Sequence, residues 1–129
     1  MINDTNERKK ILLIDNDDMR LTLAELILQD EYEIYKARSE KEALKYFYNN
    51  EFTPNLILLD ILMPKIDGWE VFRRIKAIGE LKNIPIVFIT SVEEEKKKAY
   101  ELGAVDYIVK PYNKTDLRNK IKNIMENKT

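Results

Sequence analysis

Four apolar runs end in polar groups that could do chemistry together. Asp15 follows Ile11-Leu12-Leu13-Ile14, Asp60 follows Leu56-Ile57-Leu58-Leu59, Thr90 closes the run from Ile84, and Lys110 follows Ala104 to Val109. Runs rich in branched side chains read as strands buried on both faces, each delivering a polar group to its C-terminal end. In an open parallel sheet that edge is where ligands sit. Alone, Asp60 could equally end a strand and open a turn, and Thr90 could do the same. As a set they suit phosphoryl transfer. Carboxylates held close together repel and raise each other's proton affinity, and a divalent cation relieves that cost. An oxygen-rich cluster without His or Cys suits magnesium. Lys110 supplies a fixed positive charge for a phosphate oxygen, and Thr90 a hydroxyl for another. Asp60 would attack phosphorus while the cation and Lys110 neutralise the equatorial oxygens.

Composition narrows the alternatives. A chain of 129 residues, 44% hydrophobic and 35% charged, fits one folded domain. It has 22 basic and 23 acidic side chains, a balance without the concentrated basic surface that nucleic-acid binding needs. There is no cysteine, so no disulfide, thiolate chemistry or cysteine metal cage. There is no histidine, so no histidine base or ligand and no self-contained histidine phosphotransfer. The polar start Met1 to Lys10 lacks the apolar stretch of a signal peptide, and no later run reaches the length of a membrane span. Cytoplasmic placement is the default expectation. Gly68, Gly79 and Gly103 are too far apart for a glycine-rich phosphate loop.

The elements that must position these groups alternate strand and helix. The acidic turn Asp15-Asn16-Asp17-Asp18 opens a helix with Leu21, Ala24 and Leu28 on one line and Leu23, Leu26 and Ile27 beside it. Asp17 or Asp18 can cap it, which accounts for one acid. Tyr32 to Ala37 reads as a second, less buried strand, and Ser39 with Glu42 forms a capping box for a helix with Ala43, Leu44, Phe47 and Tyr48 inward. A loop through Pro64 and Asp67-Gly68 follows the Asp60 strand. The third helix turns Val71, Ile75 and Ile78 inward, with Phe72 and Trp69 near its start and Trp69 at the surface or edge of the core. Ser91 and Glu94 cap a fourth helix with a narrow apolar face of Ala99, Tyr100 and Leu102, the least firmly held of the set. Gly103 ends it, and Asn113 with Asp116 caps a last helix that turns Leu117, Ile121 and Ile124 inward. Five strand and helix periods with short connections predict an α/β fold, a doubly wound five-stranded parallel sheet with helices on both faces.

From Lys10 to about Met125 the chain resembles the receiver domain of two-component response regulators, chemotaxis regulators included. The resemblance rests on the strand ending in Asp15, on Leu59-Asp60-Ile61-Leu62-Met63-Pro64-Lys65-Ile66-Asp67-Gly68, on Ile89-Thr90-Ser91, and on Gly103-Ala104-Val105-Asp106-Tyr107-Ile108-Val109-Lys110-Pro111. It implies a flavodoxin-like sheet in the order 2-1-3-4-5 with five flanking helices. The division it implies is a polar lead-in at 1–9, the receiver domain at 10–126 and a tail at 127–129. Asp60 then looks like the phosphoacceptor, taking a phosphoryl group from the phosphohistidine of a partner histidine kinase or phosphotransfer protein. Asp15 and the residue after it look like the acidic pair of a Mg2+ site that includes Asp60 and the backbone carbonyl of Leu62. Thr90 resembles the switch hydroxyl, Tyr107 the aromatic switch and Lys110 the phosphate-binding lysine. One departure stands out: Asn16 occupies the second position of the acidic pair, where the family usually has an acid. An amide oxygen brings no charge, so Mg2+ binding should weaken unless a rearranged turn lets Asp17 substitute. Only four residues separate Asp15 from Arg20, one fewer than usual.

The resemblance further implies a switch. Phosphorylation draws Thr90 inward, Tyr107 turns in, and the surface of the fourth helix, fifth strand and fifth helix changes for a downstream protein; a weak homodimer is compatible with it. Enzymatic activity is expected to go no further than self-phosphorylation from phosphodonors and slow autodephosphorylation. Two alternatives compete: a degenerate receiver that signals by binding alone, and a Mg2+-dependent small phosphatase. The second lacks an acid two residues after Asp60. Neither direct nucleic-acid binding nor membrane insertion is expected. Because the last helix is complete before the chain ends, a stand-alone receiver is expected slightly ahead of a receiver excised from a longer regulator.

Overall fold

The apolar runs around Asp15 and Asp60 pair side by side, as fully buried strands must. In chain order the elements are β1 (Lys10–Ile14), α1 (Asp18–Leu28), β2 (Glu33–Ala37), α2 (Glu40–Tyr48), β3 (Leu56–Asp60), β4 (Leu62–Met63), β5 (Ile66–Asp67), α3 (Gly68–Lys76), β6 (Ile86–Thr90), α4 (Lys96–Leu102), β7 (Asp106–Val109) and α5 (Lys114–Glu126). This computed structural model describes residues 8–48, 53–60, 62–63, 66–78, 83–90, 96–110 and 112–126, with the backbone alone at 62, 63, 66–68, 90, 96 and 102. Five strands form one parallel sheet in the order β2-β1-β3-β6-β7. Counting only those strands, this is 2-1-3-4-5, the expected doubly wound arrangement. The small antiparallel pair β4 and β5 was not anticipated, because two-residue strands are too short to show an alternating pattern.

Strand alternation builds two cores, one on each side of the sheet. Leu12, Ile14, Ile57, Leu59, Ile86 and Phe88 face Ala43 and Phe47 of α2, Trp69, Val71, Phe72 and Ile75 of α3, and Ala99 of α4. The alternate positions Ile11, Leu13, Leu56, Leu58, Val87, Ile89 and Ile108 face Leu21, Ala24 and Leu28 of α1 and Leu117, Ile121 and Met125 of α5. Each fully buried side chain of this size contributes about 1.5–3 kcal/mol of burial. Among the described residues, the central strands β1 and β3 are thus buried on both faces. Continued by two residues, the Ile11-Leu13 and Leu56-Leu58 alternation puts Asp15 and Asp60 on the α1 side, and Ile108 does the same for Lys110.

Local signals place the helix starts. Asp17, not Asp18, is the N-cap of α1, its carboxylate accepting from the backbone N–H of Met19 at 2.8 Å and Arg20 at 3.1 Å. Ser39 Oγ accepts from Glu42 N at 3.1 Å, and the Glu42 carboxylate reaches back to the N–H of Arg38 at 2.7 Å. Asn113 Oδ1 accepts from Asp116 N at 2.7 Å. The Ser91 and Glu94 cap lies outside the described residues.

Several burial expectations are corrected. Leu23, Leu26 and Tyr48 are exposed, because each helix buries only the narrow stripe that meets the sheet. Tyr100, expected as an apolar contact, is also exposed, while Met125 is buried and Ile124 only partly so. Trp69 is buried instead of marginal: its ring packs edge-on against Phe88 at 4.7 Å between centroids, and Phe72 lies 5.1 Å from the same ring.

Gly103 closes α4 with φ of 106°, a conformation that side chains strain to adopt, and its N–H donates to Tyr100 O at 3.1 Å. An added Cβ would meet nothing nearer than Phe72 Cζ at 3.9 Å, so the cost of a side chain is in the backbone. Gly103→Ala is expected to lower unfolding stability by about 1–2 kcal/mol. A drop in the urea midpoint with an unchanged slope checks it; an unchanged midpoint contradicts it.

Candidate functional site

Adjacent parallel strands bring the two acids together. β1 and β3 pair with Ile14 opposite Leu59, so Asp15 and Asp60 leave the sheet side by side. Asp60 has no solvent exposure and Asp15 is buried. Asp15 is held by its own backbone, N–H donating to Ala37 O at 3.0 Å, while its Oδ1 accepts from Asp17 N at 3.0 Å. Lys110, arriving from the far strand β7, donates its Nζ to Asp60 Oδ2 at 2.9 Å. The structure thus unites Asp15, Asp60 and Lys110 at one edge.

A fourth member was named in the sequence only as a spacing marker. Arg20, in the first turn of α1, donates Nε to Asp15 Oδ2 at 2.9 Å and Nη2 to Asp15 Oδ1 at 3.1 Å. The same Nη2 lies 3.5 Å from Asp60 Oδ2, and Nη1 lies 3.4 Å from Asp17 Oδ2. One guanidinium therefore bridges both strand-end acids. The signal was present in the sequence: a cation five residues after Asp15 lies one helical turn beyond the cap. Tyr112 was also missed. Together with Asp15, Arg20, Lys110 and Leu58 it lines a small cavity of about 20 Å³ at this edge.

The electrostatics follow from burial and neighbours. Burial pushes the Asp15 carboxyl up from its ordinary range; hydrogen bonds from Arg20 and Asp17 N–H pull the other way, and Asp60 adds to the rise. Donating to the Asp15 carboxylate pushes the Arg20 guanidinium up in turn. The backbone N–H of Arg20 holds the exposed Asp17 carboxyl below its usual range, as a helix cap should. Burial raises the Tyr112 phenol, with the Asp15 and Asp60 charges adding to it.

The donor chemistry fits a hard cation. Two carboxylates meet without His or Cys, and Asn16, the next residue, holds Oδ1 buried without a hydrogen-bond partner among the described residues. Asp17 is committed to the helix cap. No three His, Cys, Asp or Glu side chains form a ready metal cluster among the described residues. The Thr90 backbone ends β6, in register with Val109, and its hydroxyl lies outside the described set. Leu62 is described by its backbone in β4, directly beyond Asp60.

Tyr107 stands on the other face of β7, half-buried against the α2–α3–α4 core. Tyr100 meets its ring edge-on at 5.8 Å, and Lys120 Nζ lies 5.6 Å from the ring centroid. Asp106 ties these groups together: it accepts from Tyr100 Oη at 3.1 Å and from Lys120 Nζ at 3.3 Å.

The fold is a doubly wound α/β module with paired acids and a lysine at the carboxyl edge of its sheet. The chain belongs to the response regulator receiver domain family, whose model matches residues 11–122. Its place is in two-component signalling, where phosphorylation and Mg2+ binding are typical of the family. It is 34% identical over 121 residues to the probable transcriptional regulator ycf27 of Cyanophora paradoxa, covering 92% of this chain and 48% of that protein. Similarity to histidine kinase P4 of Formosa agariphila is 35% over 124 residues, covering 95% of this chain and 9% of that protein. The chain thus spans less than half the length of these curated relatives. The chemotaxis response regulator CheY4 of Vibrio cholerae superposes with a TM-score of 0.82 at 26% identity, covering 92% of this chain and 99% of that one. Among the described residues no helix is long and apolar enough to cross a membrane.

Two outcomes follow from this geometry. Lys110→Ala removes the ammonium bonded to the buried Asp60 carboxylate and is expected to lower stability by roughly 1–3 kcal/mol at neutral pH; an unchanged thermal midpoint would contradict the pairing. Partial desolvation of its hydroxyl, then the bond to Asp106, raises the phenol of the otherwise exposed Tyr100 from 10.0 to about 12. The folded chain keeps a proton that the unfolded chain releases, so this contribution is intact below pH 10 and fades as pH rises through about 12. Ultraviolet titration of Tyr100→Phe should lose a late-ionising tyrosine, and an unaltered profile would refute the assignment.

Proposed function

We propose that the chain is a phosphorylation-dependent switch with Asp60 as the phosphoacceptor. The observation that carries this reading is the fully buried Asp60 carboxylate with Lys110 Nζ at 2.9 Å at the carboxyl edge of the sheet. An Asp60 oxygen attacks phosphorus of a phosphohistidine on a partner histidine kinase or phosphotransfer protein. The N–P bond breaks, its electron pair stays with the imidazole, and an acyl phosphate forms. Water later hydrolyses it, returning the carboxylate and inorganic phosphate. Lys110 neutralises the transferring oxygens throughout.

Asp15, Asp60, Asn16 Oδ1 and the backbone carbonyl of Leu62 would hold Mg2+, with Asp17 released from its cap as the alternative to Asn16. Bound there, the ion would stabilise charge on the phosphoryl oxygens. The Thr90 hydroxyl takes one phosphoryl oxygen, and the roughly doubled charge at Asp60 draws it inward. Tyr107 answers that movement. Its contacts with Tyr100 and Lys120 couple it to the surface of α4, β7 and α5, where a downstream protein docks and a weak homodimer could form. An open cleft of about 430 Å³ between β7 and α5, lined by Tyr107, Tyr112 and Lys120 among others, supports that surface. The receiver unit runs from 10 to 126 and works in the cytoplasm.

The bridging of both acids by Arg20 favours a second reading, a receiver that signals by binding without phosphorylation. Labelling with acetyl phosphate separates the two. The wild-type chain should take up label in the presence of Mg2+, and Asp60→Asn should take up none. Equal label on both would remove Asp60 from the role, and no label on either would favour the binding-only reading.

A further inference from the structure

We propose that Arg20 is a built-in counter-cation of the acidic pocket, which a divalent ion must displace in order to bind. The inference rests on the reading of Asp15 and Asp60 as the metal-binding pair and adds a regulator to that site. Arg20 engages both oxygens of Asp15, at 2.9 and 3.1 Å, in the two-pronged geometry that suits a guanidinium, and comes within 3.5 Å of Asp60 Oδ2. These are the carboxylates a metal would need, and two cations cannot share them without repulsion.

Charge balance points the same way. Asp15 and Asp60 carry two negative charges, and Arg20 and Lys110 carry two positive ones. The two strand-end acids are thus matched by two cations from the chain itself, Asn16 contributes no charge, and the exposed Asp17 carboxylate meets the same guanidinium at 3.4 Å. Asn16 Oδ1, buried without a partner among the described residues, is an acceptor that Arg20 leaves unused.

Arg20 is both anchored and able to leave. Its backbone N–H is fixed by the Asp17 cap at 3.1 Å, so the guanidinium stays at high local concentration beside the acids. Its side chain is 39% exposed, so it has solvent into which to move. Rotation about the side-chain bonds frees the pocket with no change in the helix. Metal binding is thereby made weak and competitive, with Arg20 as the tethered competitor.

Calorimetric titration of the full chain with MgCl2 tests this, using wild type, Arg20→Gln, Arg20→Lys and Asp15→Asn. Arg20→Gln should bind Mg2+ about tenfold tighter or more, one such factor per 1.4 kcal/mol of relieved competition. Arg20→Lys, which keeps the charge but loses the fork, should fall between. Without metal Arg20→Gln should melt below wild type, and saturating Mg2+ should raise its midpoint by more than that of wild type. Equal affinity of wild type and Arg20→Gln, with binding lost in Asp15→Asn, would overturn the role of Arg20 and leave the metal site standing. Weaker binding by Arg20→Gln would overturn it as well. Failure of folded Arg20→Gln and Arg20→Lys to bind Mg2+ at all would overturn the metal site and this inference together.

Discussion

Two carboxylates leave neighbouring strands of a buried parallel sheet at the same edge, and they cannot stay there charged without cations beside them. Coulomb repulsion between such groups grows as water is excluded, because the surrounding dielectric falls. Lys110 and Arg20 meet that constraint from opposite directions. Lys110 comes from the far side of β6 to Asp60 at 2.9 Å, and Arg20 comes from the first turn of α1 to Asp15. A buried ion pair need not add net stability, since desolvation offsets much of the attraction. It does hold the side chains in one arrangement, and the arrangement is what a phosphoryl group would meet.

The rest of the fold keeps that edge stiff. Ile11 to Ile14 and Leu56 to Leu59 are each no more than 2% exposed, so the strands carrying the acids are packed on both faces. Interiors of this kind are close-packed, and displacements within them are transmitted instead of absorbed. Under β6, Phe88 contacts Trp69 and Phe72 of α3, and Lys98 of α4 sits 4.6 Å above the Trp69 ring. α4 also meets β7 through Tyr100 and Tyr107. The strand ends and the α4–β7–α5 surface therefore belong to one packed body.

Much of this was legible before any coordinates. The order of strands and helices, the caps at Ser39 and Asn113, and the arrival of Asp15, Asp60 and Lys110 at strand ends follow from periodicity and local hydrogen bonding. Burial was less legible on helices. Leu23, Leu26 and Tyr48 are as apolar as the residues beside them, and only the width of the contact with the sheet leaves them in water. Trp69 went the other way, because the space beside Phe88 fits its ring. The β4–β5 pair was too short to announce itself.

What the sequence determined by itself is whatever depends on neighbours along the chain: alternation within a strand, the stripe of a helix, a side chain capping the next turn. Alternation even set Asp15, Asp60 and Lys110 two residues beyond the core positions Leu13, Leu58 and Ile108, and so on the same face of the sheet. Only the tertiary structure decided that Arg20 would turn into the space between two of those acids. That choice depends on the angle at which α1 crosses β1 and β3, and on the balance of charge among groups from four separate elements. No local pattern encodes either, because both are sums over contacts that exist only once the chain has closed on itself.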